Sequence, residues 1–243
     1  MIRTTDGDAI RTVTIDRPER RNALTPTALD ALETAVSEAD CPVVYLHGAG
    51  SAFCAGADLD AVADLATQAM AGDSEPAAAF ARHGQRVARA IEASDAVVVA
   101  GIDGPARGGG LELALACDIR VATPAASFGE PGVTFGLFGA WGGTHRLPAI
   151  IGQSYAADLT LSGRVINSEE ALRMGLVSRV VETPRSVCEQ IATADRETLS
   201  QLNSLMSAAG TATETIRSQE KREAEAFAAL VETHAESLSD RGK

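Results

Sequence analysis

Two glycine-containing turns carry the clearest signs of chemistry in this sequence. The first, ARGGGLELALACD at residues 106–118, puts three consecutive glycines in front of an apolar run that carries one carboxylate, Glu112. The second, SAFCAGADLD at residues 51–60, follows an apolar run and opens a predicted helix. Exposed N–H groups at a helix start can hold an oxygen that gains negative charge. Two such turns directed at one point predict an oxyanion hole, whereas the glycine triplet alone also fits a tight strand-to-helix turn.

The elements around these turns alternate between strands and helices, which predicts an α/β core. Apolar runs predict strands at residues 10–15, 42–50, 96–104, 119–122, 126–128 and 177–181. Helical periodicity predicts helices at residues 25–39, 58–69, 77–93, 111–117, 168–175 and 211–238. Thr25 and Ser168 are the predicted N-caps of two of these helices, and residues 72–76 are a predicted break.

Composition and spacing exclude several classes of protein. The formal net charge is −12 and lysines and arginines form no cluster, which argues against nucleic acid as a partner. The sequence has neither a signal peptide pattern nor an apolar run of about 18 residues, so we expect no membrane span and a cytoplasmic location. The cysteines and histidines are scattered without metal-ligand spacing, which predicts no disulfide framework and no metal site.

Five blocks occur along the chain in a specific order. They are RPERRNAL (17–24), FCAGADL (53–59), GPARGGGLELALACD (104–118), FGEPGVTFGLF (128–138) and GGTHRLP (142–148). This series resembles the crotonase, or enoyl-CoA hydratase/isomerase, superfamily over residues 10–181. The resemblance implies an α/β crotonase fold, which is a ClpP-like spiral of ββα units with a C-terminal helical region. It divides the chain into an acyl-CoA-binding core at 1–185 and a helical region at 186–243 that would assemble a homotrimer or homohexamer.

The resemblance also implies roles for three residues of the two turns. The N–H groups of Ala57 and Gly109 would bind the thioester carbonyl of an acyl-CoA, which is a substrate, and no further cofactor is expected. Glu112 would act as the general acid or base on water. Because Glu112 follows Gly109 by three residues, a helix would place both on one side. The alternative is a solvated or ion-paired glutamate.

The most serious departure from the family pattern is at Gly132, where family hydratases carry a second glutamate. Glu130 is the candidate that could replace it as a catalytic residue. If residues 129–133 are extended, positions 130 and 132 share a face but stand about 6.6 Å apart. A shifted loop or substrate would then be needed, and the alternative for Glu130 is a solvent-exposed or ion-paired side chain.

Further residues are predicted to bind substrate. Arg20 and Arg21 are candidates for the CoA phosphates, although ion pairs with Glu19 or Asp16 are equally compatible with their positions. Asp60 stands where the family often has a lysine, so that contact is expected to be missing. The other predicted substrate-binding residues are Ala55, Asp58, Leu59, Gly108 and Gly132, together with the acyl-pocket candidates Phe135, Leu137, Phe138 and Trp141.

Arg107 has two interpretations. It could meet a carboxylate of the substrate, but a structural ion pair is the favoured prediction.

The function that follows is the addition of water to a 2-enoyl-CoA, in which an oxyanion hole stabilises an enolate. Gly132 keeps two alternatives open. One is an acyl-CoA-binding protein that has lost the chemistry, and the other is a hydrolase or decarboxylase that works through the same enolate.

Overall fold

The main β-sheet contains six strands in the order β1-β2-β3-β4-β6-β9, and a second sheet has the order β5-β7-β8. The computed structural model describes residues 1–209, so the predicted helix at 211–238 lies outside the described residues. The strands are β1 (Ile2–Asp6), β2 (Ile10–Ile15), β3 (Val43–Gly48), β4 (Val97–Ile102), β5 (Pro105–Arg107), β6 (Ile119–Ala122), β7 (Ser127–Gly129), β8 (Val165–Asn167) and β9 (Arg179–Val180). In the main sheet, β1 pairs antiparallel with β2, and all other neighbouring strands are parallel.

Nine α-helices lie within residues 1–209. They are α1 (Pro26–Ser37), α2 (Leu59–Met70), α3 (Glu75–Glu92), α4 (Gly109–Ala116), α5 (Gly143–Ile151), α6 (Gln153–Ser162), α7 (Ser168–Met174), α8 (Arg185–Ile191) and α9 (Arg196–Ala209). Two 3-10 helices, Pro18–Arg20 and Pro131–Phe135, complete the described elements. None of these helices combines the length and the apolar composition needed to cross a bilayer.

The main sheet is covered on both faces, which explains why its strands read as continuous apolar runs. Along β3, Val44 and Leu46 belong to the larger core, whereas Val43 and Tyr45 point to the opposite face, as the two-residue period of a strand requires. The larger core contains α1, α3 and α4, and the smaller one contains residues of α8. The two glycine turns therefore follow strands that cannot shift without disturbing the packing on both faces of the sheet.

Strand pairs followed by helices repeat along the chain, in agreement with the predicted ββα units. β4, β5 and α4 form one unit, and β3, a single bridge at Cys54 and α2 form another. Cys54 pairs with Ala106 through two backbone bonds, from Cys54 N to the Pro105 carbonyl at 3.2 Å and from Arg107 N to the Cys54 carbonyl at 3.0 Å. These bonds hold the two glycine turns side by side.

The structure corrects the predicted elements at several boundaries. The predicted N-cap Ser168 is wrong, because Asn167 accepts the bond from Glu170 N at 2.9 Å and Ser168 is the first helical residue. The helix predicted from residue 77 begins at Glu75, with Pro76 in its first turn. Thr25 is confirmed as the cap of α1.

Three strands were not predicted. β1 is largely exposed and so lacks an apolar run, and β5 and β8 have only three residues each.

Asn22 is a buried polar residue whose side chain holds the loop after β3. Its Nδ2 donates to the carbonyls of Ala49 (2.9 Å) and Ala52 (2.6 Å), and its Oδ1 accepts from Arg17 N (2.9 Å). Asn22→Ala leaves these groups unpaired in a buried place and is expected to lower the free energy of unfolding by about 3 kcal/mol. Urea denaturation measures this, with Asn203→Ala as the control. Equal losses in both variants would contradict the assignment.

Candidate active site

Two free backbone N–H groups lie where the glycine turns meet. A Cβ on Gly56 would lie 3.0 Å from Gly109 N, so the two turns are in direct contact. Gly56 and Gly108 have φ values of +89° and +47°, which side chains rarely allow. Among the described residues, neither Ala57 N nor Gly109 N donates to a protein acceptor. The predicted oxyanion hole thus has both donors unoccupied, one of them at the N-terminus of α4.

Glu112 lies in the first turn of α4 and is 1% exposed. Its carboxylate accepts from Trp141 N, at 3.0 Å and 3.1 Å to the two oxygens, and from Gly143 N at 2.6 Å. Burial raises the pKa of Glu112, while these N–H groups and the charge of Arg146 oppose that rise. Glu112 is therefore neither solvated nor held in a direct ion pair. It is a buried carboxylate held by backbone donors in a mainly apolar pocket.

Glu130 reaches the same pocket, contrary to the expectation from an extended segment. Residues Pro131–Phe135 form a 3-10 helix, which turns the chain at Glu130 and brings its carboxyl group inward. The residue is 5% exposed, and its Oε1 has no hydrogen-bond partner in the described structure. Burial first, and the charge of Glu112 second, raise the pKa of Glu130 to about 8. The alternative of an exposed Glu130 is therefore wrong, and within residues 1–209 no ion pair holds it.

The two carboxyl groups flank the backbone at Gly139. A Cβ on Gly139 would lie 2.8 Å from Glu130 Oε2 and 2.9 Å from Glu112 Oε1. Any side chain there would displace both groups, so the observed placement of the two carboxyl groups requires glycine at 139. Sequence reasoning missed it, and the only signal was the density of glycines around it.

The loop around Gly132 leaves little room for the glutamate that the family carries there. A Cβ on Gly132 would lie 3.0 Å from both the Leu137 carbonyl oxygen and the Cα of Phe138. In this loop conformation the backbone occupies the space of a side chain at 132, while residue 130 faces the pocket. The same loop conformation therefore crowds a side chain at position 132 and directs the side chain of Glu130 into the pocket.

An ion pair between buried Arg146 and exposed Glu92 supports the segment that holds Glu112. Arg146 forms a two-pronged pair with Glu92, with both N–O distances at 2.6 Å, and its Nη1 donates to the Trp141 carbonyl at 3.0 Å. Trp141 and Gly143 in turn donate to Glu112. This chain of contacts fixes the carboxylate from the end of α3 through α5, because a two-pronged arginine pair restricts both position and orientation.

The pocket has a volume of about 320 Å³. Ten predicted residues line it: Ala55, Ala57, Leu59, Gly108, Gly109, Gly132, Phe135, Leu137, Phe138 and Trp141. Glu112 and Glu130 line it as well. Sequence reasoning missed the contribution of α2 and α3, because the apolar faces of these helices read as ordinary core. The residues missed are Val62, Leu65, Ala66, Ala69, Ala77, Phe80 and Ala81.

Three predicted substrate-binding residues lie outside the pocket lining. Asp58 is buried, accepts from Asp60 N at 2.9 Å at the start of α2, and forms an ion pair with Arg17. The structure therefore gives Asp58 a capping role in place of substrate contact. Arg20 pairs with Asp60, a partner the sequence did not suggest. Arg21 is exposed and has no ion-pair partner within residues 1–209.

The favoured ion pair of Arg107 is absent from the described structure. Its guanidinium donates to the Ser127 carbonyl at 2.7 Å and to Ser127 Oγ at 2.9 Å, both uncharged acceptors. Arg107 therefore joins β5 to β7 and does not line the pocket.

The sequence predicts no disulfide framework and no metal site, and the structure shows where the cysteines and one group of possible metal ligands lie. All four cysteines are buried and free. Asp30, Glu33 and His83 bring possible ligand atoms within 4.8 Å of one another on α1 and α3. Arg86 already contacts both carboxylates, at 3.5 Å and 3.0 Å, so the cluster is an ionic contact between the two helices.

The chain is similar in sequence and in fold to several known proteins. The family model for enoyl-CoA hydratase/isomerase matches residues 5–240. A crotonyl-CoA hydratase of Syntrophomonas wolfei is 40% identical over 173 residues, which cover 69% of this chain and 64% of that protein. A short-chain-enoyl-CoA hydratase of Clostridium acetobutylicum is 37% identical over 178 residues, covering 71% of this chain and 66% of the relative. The crystal structure of an enoyl-CoA hydratase from Bacillus anthracis superposes with a TM-score of 0.85 at 29% identity, covering 95% of this chain and 91% of that one.

The chain belongs to the enoyl-CoA hydratase/isomerase family, and its fold is the crotonase fold. The description of the family and the names of these relatives are those of enzymes that act on enoyl-CoA. The aligned region covers just under two thirds of the length of the two curated relatives.

Arg146 offers a direct test of how the site is held. Arg146→Met removes a positive charge that favours ionised Glu112, so the pKa of Glu112 is expected to rise further. Carbon-13 NMR of protein labelled at the glutamate carboxyl carbon, with the signal assigned through Glu112→Gln, measures this pKa. Arg146→Lys keeps the charge and should shift the pKa less.

Arg120→Met is the matched control, since Arg120 is also largely buried and donates to two carbonyls away from the pocket. An unchanged pKa of Glu112 in Arg146→Met would show that the arginine has no electrostatic influence on the site.

Proposed function

We propose that this protein adds water to the double bond of a 2-enoyl-CoA thioester. The observation that carries the proposal is the presence of two buried carboxyl groups, Glu112 and Glu130, in the same apolar pocket as two free N–H groups. Family membership supports it, and so do the hydratase names of the relatives.

The free N–H groups of Ala57 and Gly109 would bind the thioester oxygen. As water attacks C3, negative charge moves onto this oxygen and an enolate develops. Donors that are already oriented stabilise such a charge, typically by about 2.7 to 4 kcal/mol for one donor. The N-terminus of α4 adds its dipole in the same direction.

The two glutamates would move the protons. Glu112 accepts a proton from water while the water oxygen forms a bond to C3, and Glu130 gives its proton to C2 of the enolate. The product gains one hydroxyl and one hydrogen, which together are the added water. The pair still holds one proton at the end, now on Glu112, and proton exchange with solvent restores the starting state.

The environment of each carboxyl group supports this assignment. Glu112 accepts bonds from two backbone N–H groups and feels the charge of Arg146, which favours its ionised form as a base. Glu130 has an oxygen without a donor and a pKa of about 8, which favours its neutral form as an acid at pH 7. Two carboxyls whose environments separate their pKa values are the usual arrangement for acid and base roles.

Several further features belong to the same proposal. Arg21, exposed and unpaired in the described region, is the better candidate for a CoA phosphate, because Asp60 offsets the charge of Arg20. Addition of water needs no redox cofactor or metal. Assembly as a homotrimer or homohexamer through residues 186–243, the boundary of the core at residue 185 and a cytoplasmic location also remain proposals.

Hydration of crotonyl-CoA, followed as loss of the enoyl absorbance, tests the proposal. Glu112→Gln and Glu130→Gln are each expected to lower kcat by about 10² to 10⁴, because each removes a positioned acid or base. Glu169→Gln makes the same change in charge on the exposed surface and should leave kcat unchanged.

Other outcomes point to the alternatives. Calorimetric binding of acyl-CoA without turnover at any chain length would favour a binding protein. Formation of free CoA from acyl thioesters, detected by mass spectrometry, would favour a hydrolase.

The pH dependence of kcat/KM tests the roles of the two carboxyls. Activity needs ionised Glu112 and protonated Glu130, so the profile is expected to be bell-shaped and to fall as the pH rises through about 8. The acidic limb should lie above the ordinary glutamate value of 4.5. Glu130→Gln cannot lose a proton, and its lower activity should no longer fall near pH 8. A basic limb that persists in this variant would assign the limb to another group.

A further inference from the structure

The pocket extends well beyond the reacting carbons, along one face of α2. Five residues of α2 line it, namely Leu59, Val62, Leu65, Ala66 and Ala69. Their spacing of three to four residues places them on a single helical face. From Leu59 to Ala69 the helix advances about 15 Å. Leu59 is two residues from Ala57, so this face begins at the oxyanion hole and leads away from it.

Small residues on α3 keep the far part of the pocket open. Ala77 and Ala81 line it near the start of α3, beside the end of α2. Phe80 lies between them and meets the Trp141 ring edge-on, with ring centroids 5.8 Å apart. On α3 this end of the pocket is therefore lined by two alanines and by a phenylalanine whose ring packs against Trp141.

The surroundings of the oxyanion hole decide which way the acyl chain must run. Arg21 is exposed, and its carbonyl accepts from Ala55 N at 2.9 Å, so the cation suited to CoA lies beside the turn that begins α2. The indole of Trp141 closes the direction toward the middle of α3, because a Cβ on Gly84 or Gly109 would lie 2.2 Å or 2.3 Å from the ring. For an acyl chain bound at the hole, the face of α2 offers an apolar path toward Ala69.

We infer that the site is built for a medium-chain acyl group of about eight to twelve carbons that lies extended between α2 and α3. This inference rests on the proposed function and specifies its substrate class. An extended alkyl chain advances roughly 1.3 Å per carbon, so the length along α2 matches about a dozen carbons. Apart from Glu112 and Glu130, every side chain that lines the described pocket is apolar, which selects an unsubstituted hydrocarbon chain.

The test is a series of 2-enoyl-CoA substrates with 4, 8, 10, 12 and 16 carbons. For the unmodified protein, kcat/KM is expected to rise at least tenfold from the 4-carbon to the 10-carbon substrate, because each added methylene leaves water. Ala66→Trp fills the middle of the path and should lower kcat/KM at least tenfold for the 10-carbon substrate, with little change for the 4-carbon one. Ala63→Trp is the matched control, because Ala63 lies on the same helix, is exposed and does not line the pocket.

The outcomes separate this inference from the proposed function. Highest kcat/KM at 4 carbons, or an equal loss at both lengths in Ala66→Trp, would overturn the inference while hydration stands. Absence of turnover at every length would overturn the proposed hydration. In that case calorimetry with saturated acyl-CoAs still tests whether the space between α2 and α3 binds the acyl chain. Tighter binding of the 10-carbon than of the 4-carbon thioester would support the inference, and equal affinities would overturn it.

Discussion

Glu112 and Glu130 occupy one small apolar volume, where two negative charges repel each other and neither is well solvated. The surrounding structure stabilises the charged form of one carboxyl group more than that of the other. Glu112 accepts hydrogen bonds from two backbone N–H groups and lies near Arg146. Within residues 1–209, Oε1 of Glu130 has no hydrogen-bond donor and no arginine forms an ion pair with Glu130. Burial raises the pKa of both carboxyl groups, and that of Glu130 reaches about 8, so in the proposed reaction Glu130 is the group that carries the proton. This difference between two chemically identical side chains arises entirely from their surroundings.

Much of the local architecture serves this pair. The ion pair between Arg146 and Glu92 secures the segment that donates to Glu112, and it connects that segment to the end of α3. The loop after β7 turns as a 3-10 helix and directs Glu130 inward, while Gly139 leaves space for both carboxyl groups. The same loop crowds position 132. A second carboxyl group thus lies in the pocket, two residues before the position where the sequence resemblance places one.

The apolar walls around the carboxyls explain both the raised pKa values and the expected substrate. Removing water from the pocket disfavours charge, which keeps Glu130 neutral, and it favours a hydrocarbon chain in the space along α2. One physical property of the pocket therefore supports both the proton chemistry and the selection of the acyl group.

The sequence by itself determined the α/β class, most strands and helices, and the two glycine turns. These features depend on local periodicity and on residues whose backbone preferences act within a few positions. Only the tertiary structure decided that Glu130 enters the pocket, that Asp58 caps a helix and that Arg107 binds Ser127. In each case the side chain could reach several partners, and the choice depended on elements distant in sequence that packing brings together.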